Sequence, residues 1–354
     1  MQKISGKILI PLLLIFFSIG FGSAIWFWAS EWRSNFVVDE HQQNAYLDIY
    51  PDMTLDDVCA ALEQAHFTDN AASFGRYMHR KHYDWRIKPG RYSIHNGMNN
   101  RTLALHLINR TGQEPVKLCF NNIRLKTELA ARIGRQLMLD SATIAQCLDS
   151  AEFLETYGVT PATAITLFIP NTYEIYWHVT AAQLFDRMKT EHDRFWNASR
   201  RAKAADIHLT PTEVTILASI IDEETNVAAD KPIIAGLYLN RLRRGMPLQA
   251  CPTVRYALND FTLTRVLKEH TAIDSPYNTY KYRGLPPGPI RMASIGAIDA
   301  VLNYTPSNYI YMCASDKMDG SHNFASTNAE HSRNAQKYHR AYKTWQKKQS
   351  NNQK

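Results

Sequence analysis

His208-Leu-Thr-Pro-Thr-Glu-Val-Thr-Ile-Leu-Ala-Ser-Ile-Ile-Asp-Glu-Glu-Thr225 is the stretch around which the chain is organised. Thr210-Pro211-Thr212-Glu213 spells a helix start: a hydroxyl to cap, a proline at the first helical position and a glutamate closing a capping box. Placed at about 100° per residue, Val214, Ile216, Leu217, Ile220, Ile221, Val227 and Ala228 share one broad arc, with Thr215, Ser219 and Asp222 opposite. Glu223 lies at the edge of the arc, and Glu224 falls near its centre. A carboxylate there costs several kcal/mol if charged and unpaired, and the usual escape is a raised pKa that keeps the group protonated and able to act as a general acid. A buried Glu–Arg pair, or a helix that ends before Glu224, would account for the same pattern.

The 354 residues suffice for two modest domains, and the net charge is +7. The positive excess is spread out apart from a tail at Lys343-Thr-Trp-Gln-Lys-Lys348, so no nucleic-acid partner is expected. Five widely spaced cysteines (Cys59, Cys119, Cys147, Cys251, Cys313) show neither a disulfide framework nor zinc spacing, and no metal or cofactor is expected. Ile8 to Trp28 is a run of about 21 residues without a charge, preceded by Lys3 and Lys7 and followed by Glu31. This predicts an uncleaved single-pass anchor, with the short N-terminus in the cytoplasm and the bulk of the chain outside it.

Two segments echo each other beyond a polar stretch. Ile49-Tyr-Pro-Asp-Met53 precedes Val58 and Leu62, and Ile94-His-Asn-Gly-Met98 precedes Leu103 and Leu107 at the same offsets. Each predicts strand, turn and helix, a small α+β unit of the type used by wall-binding LysM modules. Helices are predicted over 125–139, 141–157, 181–200 and 231–242. The aromatic-rich Leu167–Trp177 predicts a loop or short strand whose rings and amides would suit a sugar. Three Pro-, Gly- and amide-bearing stretches, 248–254, 275–280 and 284–290, are suited to contacting a ligand. His322 and His331 read as loop hydrogen-bonders.

Ala218-Ser-Ile-Ile-Asp-Glu-Glu-Thr225, Tyr238-Leu-Asn-Arg-Leu242, Leu248-Gln249 with Pro252-Thr-Val254, Tyr277-Asn-Thr-Tyr280 and Gly284-Leu-Pro-Pro-Gly-Pro-Ile290 together resemble the signature set of the endolytic murein transglycosylases, the YceG-like family. Phe168-Ile-Pro-Asn-Thr-Tyr173 and His322-Asn-Phe324 fit the same set, and the resemblance covers roughly residues 45–345. It implies an α+β protein in the order cytoplasmic N-terminus 1–7, transmembrane helix 8–28, juxtamembrane linker 29–44, LysM-like subdomain 45–115, larger mixed α/β catalytic domain 116–345 and polar tail 346–354. The family's catalytic glutamate maps onto Glu224. Substrate-contacting roles are expected for Gln249, Asn278 and Tyr280, and with them Thr253, Tyr277, Thr279, Asn240 and Tyr173. Asp222 stands where the family usually has Glu, and Cys251 where it commonly has Asp.

The resemblance implies non-hydrolytic cleavage of the β-1,4 bond between N-acetylmuramic acid and N-acetylglucosamine, leaving 1,6-anhydro ends. It also implies work on peptidoglycan at the cell membrane beside the wall-synthesis machinery. Two alternatives stay open at this point. One is a muramidase pairing Glu224 with Asp222 or Glu223, and the other is a catalytically silent wall-binding scaffold.

Overall fold

The structure, a computed structural model, describes residues 31–38, 45–68 and 70–352, with positions 15, 18, 20–23 and 25. The span 8–28 expected to cross the membrane lies largely outside the described residues, among which no helix is long and apolar enough to do so. The fold is α+β, with many helices and three two-stranded sheets. The chain divides into two compact units. The first runs to Lys117 and takes in Gln136–Met138 and Glu174–Val179; the second holds Leu118–Arg135, Leu139–Tyr173 and Thr180–Lys354.

In the first unit, β1 (Ala45–Ile49) pairs antiparallel with a later strand, and its alternation buries Ala45, Leu47 and Ile49. Thr54 and Asp57 form a capping box at the start of α1 (Leu55–Gln64). Next come α2 (Ala71–Arg80), then β2 (Gly90–Ile94), in register Ala45↔Ile94 with β1, and α3 (Asn100–Asn109), capped by Asn99. Both halves of the sequence echo fold as strand, turn and helix. Their matched residues Val58, Leu62, Leu103 and Leu107 are buried in one core with Phe74 and Tyr92. The echo gave no sign of α2, which the chain inserts between the two halves.

Strands β3 (Pro115–Phe120) and β4 (Asn171–Tyr176) pair, and the division between the units falls within both. Between them lie α4 (Lys126–Gly134), α5 (Ser141–Asp149) and α6 (Ala151–Glu155), so the expected helix 141–157 is two helices. Ser150 breaks it, its hydroxyl accepting from Phe153 N at 3.2 Å to cap the second. The aromatic stretch 167–177 is core rather than a sugar platform, since Phe168, Tyr173, Ile175 and Trp177 are buried.

After β4 come α7 (Ala181–Phe195) and α8 (Ala198–Asp206), divided at Trp196-Asn197, where Asn197 caps the second helix. Helix α9 (Pro211–Glu224) begins with the expected capping box and is the centre of the second unit. It is buried on every side, so the polar arc is not a solvent face: Thr215, Ser219 and Asp222 are all buried. Thr215 Oγ1 and Ser219 Oγ donate to carbonyls of their own helix, and Ser219 Oγ also accepts from Ile290 N at 3.1 Å. The helix ends at Glu224, so Val227 and Ala228 lie beyond the arc on which the wheel had placed them.

Around α9 pack α10 (Lys231–Arg243), α11 (Cys251–Leu258) and α12 (Ile295–Leu302), followed by the antiparallel hairpin of β5 (Tyr311–Ala314) and β6 (His322–Ala325) and by α13 (Asn328–Asn352). Gly236 lets α10 run against the chain near Thr305; a Cβ there would sit 2.4 Å from the Thr305 carbonyl oxygen. Among the described residues the larger unit is mostly helical, with one hairpin of its own.

Candidate active site

The last turn of α9 carries three consecutive acids at a helix C-terminus, where unsatisfied carbonyls already present partial negative charge. Two of the three are neutralised. Asp222 Oδ1 receives Lys231 Nζ at 2.5 Å, while its two oxygens accept Ser294 Oγ and N at 2.9 and 2.6 Å, tying the end of α9 to the starts of α10 and α12. Glu223 Oε1 accepts from Arg124 Nη2 at 2.7 Å and Arg291 Nη1 at 2.9 Å. Glu224 has no such ion pair. Its Oε1 accepts one hydrogen bond, from the buried Tyr238 hydroxyl at 2.7 Å, and its side chain meets solvent through a cavity.

Burial lifts the Glu224 carboxyl above the ordinary glutamate range, against the opposing pull of the Tyr238 hydrogen bond and the more distant influence of His322, Arg255 and Arg241. The same burial, with Glu224 beside it, pushes Tyr238 well above the usual phenol value, so the phenol keeps its proton and remains the donor.

The cavity has a volume of about 270 Å³. Four parts of the second unit line it: the end of α9 with Glu224; Leu237, Tyr238 and Arg241 from α10; Leu248, Gln249, Cys251 and Tyr280 from two loops and the start of α11; and Met312, Cys313, Ala314 and His322 from the hairpin. Arg241 holds these parts together. Its guanidinium donates to Ile310 O at 2.7 Å and Leu248 O at 2.7 Å, with a longer contact to Gln249 Oε1 at 3.4 Å. Gln249 sits at φ 53°, a left-handed conformation uncommon for a residue with a side chain, and its amide N donates to Thr279 O at 3.0 Å. Tyr280 places its hydroxyl 3.2 Å from Cys251 Sγ.

Of the expected site residues, the structure brings Gln249 and Tyr280 together with Glu224. It does not bring the others there, and their polar atoms show why. Asn278 Nδ2 donates to Thr271 O and Ile273 O while its Oδ1 accepts from Tyr280 N, so its amide builds the loop that carries Tyr280. Thr253 and Thr279 share a hydroxyl–hydroxyl bond of 2.8 Å and cross-link the loops at Ala250. Asn240 Nδ2 donates to Ser307 O and Tyr309 O, fixing the approach to β5. Tyr173 is buried against Phe120 and donates to Ile169 O at 2.6 Å. Tyr277 packs against Tyr256 with the rings tilted by 47° and centroids 4.8 Å apart, in a different cavity of about 270 Å³ with Arg124 and Lys126.

Three contributors had no assigned role in the sequence reading, Tyr238, Arg241 and Asp230, and a fourth, His322, read as a loop hydrogen-bonder. Asp230 Oδ2 accepts from the His322 backbone N at 2.8 Å and lies 3.0 Å from its Nδ1, so this histidine is held against the cavity wall rather than spanning a loop. A basic and an acidic residue 92 positions apart carry no local signal of such a pairing.

One carboxyl without an ion pair at the wall of a cavity, its two neighbours held in ion pairs, is an arrangement suited to a general acid in a helix-rich α+β protein. The chain belongs to the YceG-like family, whose sequence profile matches residues 47–337. It is similar to a Streptococcus pneumoniae protein named endolytic murein transglycosylase, 26% identical over 310 residues, covering 78% of this chain and 55% of that protein. A Bacillus subtilis protein of the same name is 43% identical over 122 residues, 34% of this chain and 33% of the relative. The chain thus spans about half the length of the pneumococcal relative it matches. Among solved structures it resembles a putative YceG-like protein from Listeria monocytogenes, with a TM-score of 0.53 and 27% identity over 82% of this chain and 99% of that one.

The raised Glu224 pKa makes folding pH-dependent. The folded state holds this proton above the pH at which the unfolded chain releases it, so stability from this residue is full below the unfolded value and falls as pH rises through the folded one. Glu224→Gln removes that dependence. Thermal melts from acid to neutral pH should show the variant gaining on the wild type as pH rises through this window; a constant difference would mean an unshifted carboxyl.

Proposed function

We propose that this chain is an endolytic peptidoglycan lytic transglycosylase, cleaving the β-1,4 bond between N-acetylmuramic acid and N-acetylglucosamine and leaving 1,6-anhydro-muramyl ends. The observation that carries this reading is the solitary state of Glu224. Hydrolytic glycosidases generally require two carboxyl groups flanking the bond. Among the described residues lining the cavity, Glu224 is the one carboxyl, and its neighbours Asp222 and Glu223 are not in that lining and are held in ion pairs and hydrogen bonds by Lys231, Arg124, Arg291 and Ser294. A muramidase built on Glu224 with either neighbour therefore lacks its second acid.

One carboxyl is enough when the nucleophile belongs to the substrate. Protonated Glu224 gives its proton to the leaving O4 as the C1–O4 bond breaks, the C6 hydroxyl of the muramyl residue attacks C1, and its proton is returned to the Glu224 carboxylate; effective molarity favours this tethered group over water by several kcal/mol. Tyr238 donates to the carboxylate as it forms, limiting the cost of charge in a buried site. Gln249 supplies an amide and Tyr280 a ring at the cavity wall, suited to an N-acetyl group and a pyranose face. The names of the pneumococcal and Bacillus relatives support the same substrate.

The reading extends to location. Residues 8–28 anchor the protein in the cell membrane as a single span, the catalytic unit works on the extracytoplasmic side, and the LysM-like unit faces the wall. There it would meet new strands first and end their elongation beside the synthesis machinery.

Mass spectrometry of glycan strands digested by purified protein tests the activity. The wild type should leave anhydro ends, and Glu224→Gln should slow cleavage by about 10²–10⁴-fold. Unchanged cleavage by the variant would move catalysis elsewhere. For the anchor, deleting residues 8–28 should release the protein from washed membranes into the soluble fraction; retention would contradict it.

A further inference from the structure

His322 stands in the same cavity as Glu224, and the reaction as written so far gives it nothing to do. Its setting is specific. The Asp230 carboxylate accepts from its backbone N at 2.8 Å and faces its Nδ1 at 3.0 Å. Asp230 is itself buried, and the His322 side chain is only 14% exposed. A carboxylate facing Nδ1 puts the ring proton on that nitrogen and leaves the Nε2 lone pair for the cavity. Among the described residues, Nε2 has no hydrogen-bond partner in the protein.

Several other polar groups of the wall are already engaged. The Tyr238 hydroxyl donates to Glu224, that of Tyr280 lies against Cys251 Sγ, and Arg241 Nε and Nη1 donate to backbone carbonyls. Among the described residues lining the cavity, His322 carries the one imidazole.

We propose that His322 Nε2 accepts the C6 hydroxyl of the muramyl residue, turns it towards C1 and takes its proton, thereby deciding whether the tethered hydroxyl or water captures the cleaved sugar. This rests on the transglycosylase reading above. The step balances without a redox partner. The Glu224 proton passes to O4 as the C1–O4 bond breaks, the O6–C1 bond forms, and the O6 proton goes to Nε2. The imidazolium then returns one proton through solvent to the Glu224 carboxylate, restoring both groups. Asp230 stabilises the transient imidazolium, as a carboxylate behind a catalytic imidazole does elsewhere.

A structural role for the pair, pinning β6 to the start of α10, would affect folding and rate but not the chemical nature of the products. Product partition therefore separates the two. Full-length wild type, His322→Asn and His322→Gln are incubated with purified glycan strands in ¹⁸O-water, and anhydro and ¹⁸O-labelled reducing ends are counted by mass spectrometry. Asparagine can keep the bond to Asp230 but offers nothing at the Nε2 position; glutamine retains an acceptor near it. The asparagine variant should lose at least about tenfold in cleavage rate and raise its ratio of reducing to anhydro ends at least about fivefold, with glutamine between it and the wild type. Ends that remain wholly anhydro in both variants, at whatever rate, overturn the role given to His322. Reducing ends alone from the wild type overturn the transglycosylase reading, and this proposal with it.

Discussion

A carboxyl group held without a counter-ion at the negative end of a buried helix is the constraint on which the site depends. Charge at Glu224 is opposed by desolvation and by the terminal carbonyls of α9, and favoured by the Tyr238 hydroxyl and, from a distance, by His322, Arg255 and Arg241. The balance lies with the protonated acid. Uncompensated charge on either neighbour would push that balance further the same way, because repulsion would add to desolvation. Lys231, Arg124 and Arg291 are thus part of the acid's environment although, of the three consecutive acids, they pair only with Asp222 and Glu223.

Much of the second unit serves to keep that helix end in place. Helix α9 is enclosed on all sides, and where it carries hydroxyls they are satisfied by its own carbonyls or by the Ile290 amide. Arg241 fastens the Leu248 loop and the approach to β5 with one guanidinium, and Asn240, Thr253, Asn278 and Thr279 lock the neighbouring loops. The loops that present Gln249 and Tyr280 are therefore held by hydrogen bonds at little reach from the acid, the rigidity that a positioned catalytic group needs.

What the sequence made legible followed from periodicity and capping. The start of α9, the strand–turn–helix echo around Ile49 and Ile94, and the odd position of Glu224 were all readable from local spacing. What was hidden is long-range. The polar arc of α9 looked solvent-facing because a wheel cannot distinguish water from a buried Lys231 or a backbone amide as the partner. Asn278 and Thr279 looked like ligand contacts because an amide or hydroxyl in a Pro-rich loop has the same appearance whether it binds a sugar or the loop itself. His322 looked idle because its partner, Asp230, is distant in the chain. In the aromatic stretch before Trp177, Tyr173 looked like a sugar contact because a ring has the same appearance in core and at a binding surface.

The central claim is that Glu224 keeps its proton where an ordinary glutamate has lost it. Infrared difference spectroscopy of wild type against Glu224→Gln, titrated from acid to neutral pH, measures this directly through the carboxylic-acid C=O band. The account predicts a band absent from the variant that fades in the wild type only above the ordinary glutamate range. A band that disappears within that range would contradict it.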